Sequence, residues 1–319
     1  MKCWIIALTA VLLAGCAGRG GADAAAKANA ELLRELRDEQ DQRRATSEPL
    51  AEEPAPTLDS RVREGDALRD SGELARALWS YLQASRLAPS DPVPLLRIAT
   101  LHLSAEPARS EQIFRELVRQ HPKSADAYTG LGIAQLAQGK RGGAEDMLRL
   151  AIKLDPRHAP ALNALGVTLD QAGNHAEARR LLNRAWEVQP RSHVPLNNLG
   201  SSYLVTGELS AAVSALERAQ QLEPRDAAVM NNLGLALARL GREEEALVKF
   251  RAAGSEQASF NNMGYAAFLN RDYERALAWY ERALLASGPL LPEIRRNVVA
   301  LEAERLREGG VGVRTDQPR

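Results

Sequence analysis

The 319-residue chain has only two cysteines, Cys3 and Cys16, and none beyond residue 16. The body of the chain therefore has no disulfide, no thiolate metal site and no cysteine nucleophile. Aromatic residues make up 4%, and no aromatic platform interleaves with a basic stretch. Lys and Arg total 41, and so do Asp and Glu, so the basic footprint of a nucleic-acid binder is missing. The chain contains no His-Glu-x-x-His and no Gly-x-Ser-x-Gly motif. Gly139-Lys140-Arg141 lacks the upstream glycines of a phosphate loop, and Gly18, Gly20 and Gly21 follow no strand. The five histidines, His102, His121, His158, His175 and His193, mostly sit at recurrent spacings, which accounts for them without a ligand. No residues assemble into a catalytic, metal or cofactor site. The expectation is a protein without enzymatic activity, cofactor or small-molecule substrate.

What the chain does have is a period. Pro122, Pro156, Pro190 and Pro224 lie 34 residues apart, and Pro89 lies 33 before the first of them. An alanine stands five residues before each proline, except at Pro122, where Leu117 takes that place. Further upstream come Leu131-Gly132, Leu165-Gly166, Leu199-Gly200 and Leu233-Gly234, varied to Met263-Gly264 in the last copy. A fixed period of this length means a solenoid, in which each unit buries its apolar face only against its neighbours. The recurrent glycine and alanine leave room for two helices to approach closely, with large apolar residues between them at helical spacing. Gly173, Gly207 and Gly241 fall where a first helix ends, and each proline stops a second helix.

These positions resemble the tetratricopeptide repeat (TPR) family. One copy reads Leu196, Leu199, Gly200, Tyr203, Gly207, Ala212, Leu216, Ala219, Pro224; others read Tyr128 to Pro156 and Leu162 to Pro190 in the same order. The resemblance implies an all-α superhelical solenoid of about seven helix-turn-helix repeats. Their spans are 58–91, 92–124, 125–158, 159–192, 193–226, 227–256 and 257–290, with a capping helix over 291–308 and a disordered tail over 309–319. The second repeat is degenerate: it lacks the first-helix glycine and carries Pro107 near its turn. The sixth is shortened, ending near Ala253-Gly254, and the seventh has Arg271 in place of the turn glycine.

The first residues read as a targeting segment. Lys2 supplies the positive charge, and the apolar run Trp4–Leu13 is too short to span a bilayer comfortably. It ends in Leu13-Ala14-Gly15-Cys16, which resembles the bacterial lipobox. That resemblance implies removal of residues 1–15 and lipidation of Cys16, with palmitate-type acyl chains that together anchor stably where one does not. The alternative is an ordinary signal peptide with a chance cysteine. Ala17, not Asp, follows Cys16. Resemblance to Gram-negative lipoproteins then implies an outer-membrane anchor facing the periplasm. Residues 16–57, rich in Ala, Glu and Arg and then in proline and acids, read as a flexible tether.

In TPR folds the first helices line a concave groove. At its fifth and sixth positions stand Asn197-Asn198, Asn231-Asn232 and Asn261-Asn262, with Asn163 alone one repeat earlier. Asparagine is a mediocre helix former, so three pairs ask for a reason. Two readings stand. The amides bind the backbone of an extended peptide, or the sixth-position residues bond the neighbouring repeat. Tyr265 and Phe268, one turn apart beside Asn261, form an aromatic patch suited to binding, unless Phe268 packs under the capping helix. The expected partners are proteins or peptides, with the membrane reached through the lipid and no nucleic acid. This architecture resembles lipoproteins of tight-adherence (Flp) pilus systems and type IV pilotins, which implies an assembly role for a pilus or a secretin. The rival is an adaptor that regulates peptidoglycan or protease enzymes of the envelope.

Overall fold

A computed structural model describes residues 56–286 and 292–310. Among these residues there are fifteen α-helices and no strand. In chain order they are α1 Leu58–Asp70, α2 Leu74–Leu87, α3 Pro92–Ala105, α4 Pro107–Gln120, α5 Ala125–Ala137, α6 Arg141–Leu154 and α7 Ala159–Gln171. There follow α8 His175–Val188, α9 Val194–Thr206, α10 Leu209–Leu222, α11 Ala227–Arg239, α12 Glu243–Ala253, α13 Glu256–Leu269, α14 Tyr273–Leu285 and α15 Pro292–Gly310. They form two compact units, divided in the turn after α7. Within each unit, a second helix packs on its own first helix and on the next one, and neighbouring first helices touch. Each unit thus has a layer of first helices and a layer of second helices.

The helix ends follow local chemistry. Thr57, Asp91, Ser124, Asp226 and Ser255 each accept a hydrogen bond from a backbone N–H in the first turn of a first helix. His158 does the same for α7 with its ring: the Ala161 N–H donates to Nδ1 at 3.2 Å. The other ring nitrogen, Nε2, lies 2.9 Å from the Asp126 carboxylate. The junction histidine is therefore a helix cap. His175, which the sequence places in a turn, opens α8 instead. At the far ends, five glycines from Gly72 to Gly241 adopt positive φ, and Arg271 takes the same left-handed conformation at φ 62°.

The recurrent first-helix glycine sits against the large residue sixteen positions later. A Cβ on Gly200 would lie 2.4 Å from Leu216 Cγ, and one on Gly234 2.8 Å from Phe250. The degenerate second pair solves the same problem differently. Ile98 packs on Ala77 and Tyr81 of the first pair. Ala99 supplies the close contact, its carbonyl accepting from the buried Ser110 hydroxyl at 2.8 Å. Phe114 turns toward the third repeat, where a Cβ on Gly130 would fall 2.1 Å from its ring.

Tyr81 and Tyr280 fill this large-residue position in the first and last pairs, both buried. Burial raises both phenol pKa values, but their hydroxyls fare differently. Tyr81 donates to Asp66 Oδ1 at 2.8 Å, which Arg97 also holds at 2.9 Å. The Tyr280 hydroxyl has no partner among the described residues. Tyr81→Phe is therefore expected to destabilise by about 1–2 kcal/mol and Tyr280→Phe to stabilise by about 1 kcal/mol. Denaturant unfolding of both variants checks the opposite signs.

α15 packs on α13 and α14, taking the place of an eighth first helix. Ile294 and Leu301 are fully buried, and Arg305 pairs with Glu274 at 2.8 Å. The helix runs to Gly310, two residues into the stretch read as tail. Cys16 and the segments 1–55 and 311–319 lie outside the described residues.

Candidate peptide-binding face

In the second unit, α9, α11 and α13 turn one stripe toward their second helices and the opposite stripe outward. Residues four apart define this stripe: Asn197, Ser201 and Val205 on α9; Asn231, Leu235 and Arg239 on α11; Asn261, Tyr265 and Leu269 on α13, of which Ser201 and Asn261 are buried and Val205 and Leu269 exposed. Side by side, these make three rows across the layer: amides, then Ser201, Leu235 and Tyr265, then Val205, Arg239 and Leu269.

The amide row is bonded to itself. Asn232 Nδ2 donates to Asn197 Oδ1 at 2.9 Å and to Ser201 Oγ at 3.1 Å. Asn262 Nδ2 donates to Asn231 Oδ1 at 3.1 Å, and Asn297 Nδ2 of α15 to Asn261 Oδ1 at 2.9 Å. Asn232 and Asn262 each donate from the sixth position to the fifth-position amide one first helix back. The inter-repeat role thus extends to the fifth position, and α15 completes the ladder. The bonded amides keep part of their hydrogen-bonding capacity, since a carboxamide has two donors and a two-lone-pair acceptor. Asn198 is half-buried on α9; Asn163 is half-buried on α7, in the first unit.

A second ladder ties the helix ends. Arg239 Nη1 donates to the Leu204 carbonyl at 2.9 Å, and Asn270 Nδ2 to the Arg239 carbonyl at 3.0 Å. Two lines of bonds at opposite ends tie the first helices in register. On it, Tyr265 stacks with Phe268 at a centroid distance of 6.4 Å. Phe268 also meets Tyr273 and packs with the Tyr280–Leu301 cluster under α15. Tyr265 is half-buried, and burial pushes its phenol up to about 12, with Arg239 opposing.

Sequence reasoning passed over Arg239, Val205 and Leu269. The signal was available: apart from Glu256 at the start of α13, Arg239 is the one charged residue in α9, α11 and α13.

Three family models, each for the tetratricopeptide repeat, match residues 104–151 with 197–262, 135–194, and 258–288. The chain belongs to the tetratricopeptide repeat family, whose members bind protein or peptide partners. Among solved structures, it resembles the anaphase-promoting complex (APC/C) hetero-tetramer Cut9–Hcn1 with a TM-score of 0.59 at 20% identity, over 77% of this chain and 50% of that one. The chain thus spans about half the length of that relative. A thermophilic TPR protein of Thermus thermophilus matches with a TM-score of 0.52 at 23% identity, over 57% of this chain and 99% of its own. A tetratricopeptide repeat protein of Parabacteroides merdae matches with 0.51 at 16%, over 77% and 98%. These likenesses show the fold alone. A comparison with curated proteins finds no match.

Proposed function

We propose that this chain is a lipid-anchored periplasmic scaffold that holds a segment of a protein partner on the outward face of α9, α11 and α13, and that it serves in assembling a pilus or secretin. The observation that carries the binding role is the face itself. It is an open stripe with exposed apolar residues, presented on helices locked by two bond ladders. On it Val205 and Leu269 are exposed, at 63% and 36%, beside the half-buried Leu235 and Tyr265. Presentation on helices tied in register lowers the ordering cost that a partner would otherwise impose. The anchor rests on Leu13-Ala14-Gly15-Cys16, and the assembly role on the architecture of anchor followed by repeats.

The test compares two equally exposed valines. Val205 lies on this face, and Val248, also 63% exposed, lies on α12 in the second-helix layer. A photo-cross-linking residue at position 205 is expected to capture a protein of the envelope, a secretin or pilus component, and the same residue at 248 is not. Equal capture from both positions would remove the assignment of the face. For the anchor, Cys16→Ser is expected to leave residues 1–15 uncut and the protein absent from the outer-membrane fraction. Normal fractionation with a normal mature mass would remove the anchor.

A further inference from the structure

Among the described residues, the stripe on α9, α11 and α13 carries one charge, Arg239, with no acid to neutralise it. Arg239 is half-buried on α11, and no carboxylate among the described residues pairs with it. Of its five N–H donors the Leu204 carbonyl takes one, while Nε is sealed from solvent without a partner. Burial lowers its pKa from the usual arginine value, yet a guanidinium stays charged in proteins. The C-terminal end of α9 supplies only a partial negative charge, of about half a unit. Arg179 shows what a satisfied inter-helix arginine looks like in the same unit. Its guanidinium bonds Ser202 Oγ at 3.0 Å and Glu208 at 2.7 Å and lies 4.1 Å from the Tyr203 ring centroid. An unpaired, partly desolvated cation is costly and is retained where an anion can complete it.

The geometry points to an acidic ligand: we infer that this face takes an extended, internal segment of a protein in which an Asp or Glu side chain pairs with Arg239, flanked by apolar side chains. This deepens the reading of the same face and rests on it. The flanking preference follows from the neighbours. Val205 on α9 and Leu269 on α13 stand on either side of Arg239 and are both exposed, at 63% and 36%. Leu235 and Tyr265 lie one turn away, both half-buried. Because apolar surface continues on both sides of the cation, the ligand runs past it. That favours a side-chain carboxylate over a chain end.

The experiment probes the full mature chain, in detergent, with an array of capped decapeptides of mixed sequence. Each peptide is printed in three forms: as designed, with Asp and Glu changed to Asn and Gln, and in that amide form with a free C-terminal carboxylate. The acidic form is expected to bind about tenfold more tightly than its amide form, most strongly where Leu, Phe or Tyr flank the acid. The free C-terminus should not restore the loss. Arg239→Gln, which keeps a donor for the Leu204 carbonyl, should bind both forms alike, and Arg239→Lys should keep the preference. Should Arg239→Gln prove unfolded by its melting profile, Arg239→Lys and the salt dependence of the native chain decide, since the preference must fall as salt rises. Binding without a carboxylate preference, or a preference that survives Arg239→Gln, overturns this inference and leaves the peptide-binding reading standing. Rescue by the C-terminal carboxylate alone overturns the internal-segment claim. No binding by any peptide removes both.

Discussion

Gly200→Leu is expected to lose about 3 kcal/mol of stability, the upper end of what forced overpacking costs. Gly200 sits mid-helix in α9, where a glycine costs about 1 kcal/mol relative to alanine, so propensity alone would favour the replacement. Contact decides against it. A Cβ at Gly200 would fall 2.4 Å from Leu216 Cγ, and Leu216 is fully buried, so neither side chain has room to retreat. Helices α9 and α10 must separate, which also loosens the first-helix layer that presents the candidate face. Gly207 serves as the control. It has φ 80° and nothing within 4 Å of an added Cβ, so Gly207→Ala meets only backbone strain, about 1–2 kcal/mol. Guanidinium unfolding of the two variants measures the difference. Equal, small losses would mean that close packing does not govern the repeat glycine.

Glu111→Ala is expected to cost about 2 kcal/mol near neutral pH. Glu111 on α4 is 3% exposed, a rare setting for a carboxylate. Its oxygens accept from Lys140 Nζ and Gln138 Nε2, each at 2.7 Å, and from Arg115 at 2.6 Å. Gln138 and Lys140 tie the second repeat, where Pro107 leaves only Glu106 between α3 and α4, to the turn of the third, while Arg115 lies one turn along α4 itself. Lys140 and Arg115 are half-exposed and keep their hydration, so the loss stays below that of a fully buried pair. Burial pushes the Glu111 carboxyl up, but the donors outweigh it and hold the pKa below the ordinary glutamate value. The folded state therefore binds this proton less readily than the unfolded chain. The stabilisation is present above the unfolded pKa, about 4.3, and is lost as pH falls through the lower folded value. The stability gap between native and Glu111→Ala chains should hold from pH 7 to pH 5 and close on further acidification. A gap independent of pH would mean that Glu111 acts by packing and not by charge.

Much of the fold was legible because a repeat fixes the same contacts many times over. Gly200 and Leu216, or Gly234 and Phe250, can be matched by counting along the chain, since both partners lie in one helical hairpin. The short sixth pair was legible from Ala253-Gly254, and the left-handed turn at Arg271 from its alignment with five glycines. The second pair was legible only as an irregularity. How Ile98, Ala99, Ser110 and Phe114 share the missing glycine's task depends on the two neighbouring repeats at once. The amides were legible as a pattern, and bonding to the neighbouring repeat was one of the two readings for the sixth position, but the fifth-position partners were not, because Asn197 and Asn232 meet only when two separate hairpins stack.

By itself, the sequence determined the helical solenoid, since a 34-residue period of small and large apolar residues has no other way to bury its faces. It also determined that the chain beyond residue 16 works without thiol chemistry. Only the tertiary structure decided which polar groups satisfy one another. The amide partners lie 31 to 36 residues apart, so their pairing is set by the register of adjacent first helices and not by local spacing. The same stacking leaves Arg239 on the Leu204 carbonyl with no acid paired to it among the described residues, because charge compensation is a property of distances in space, which no count along the chain supplies.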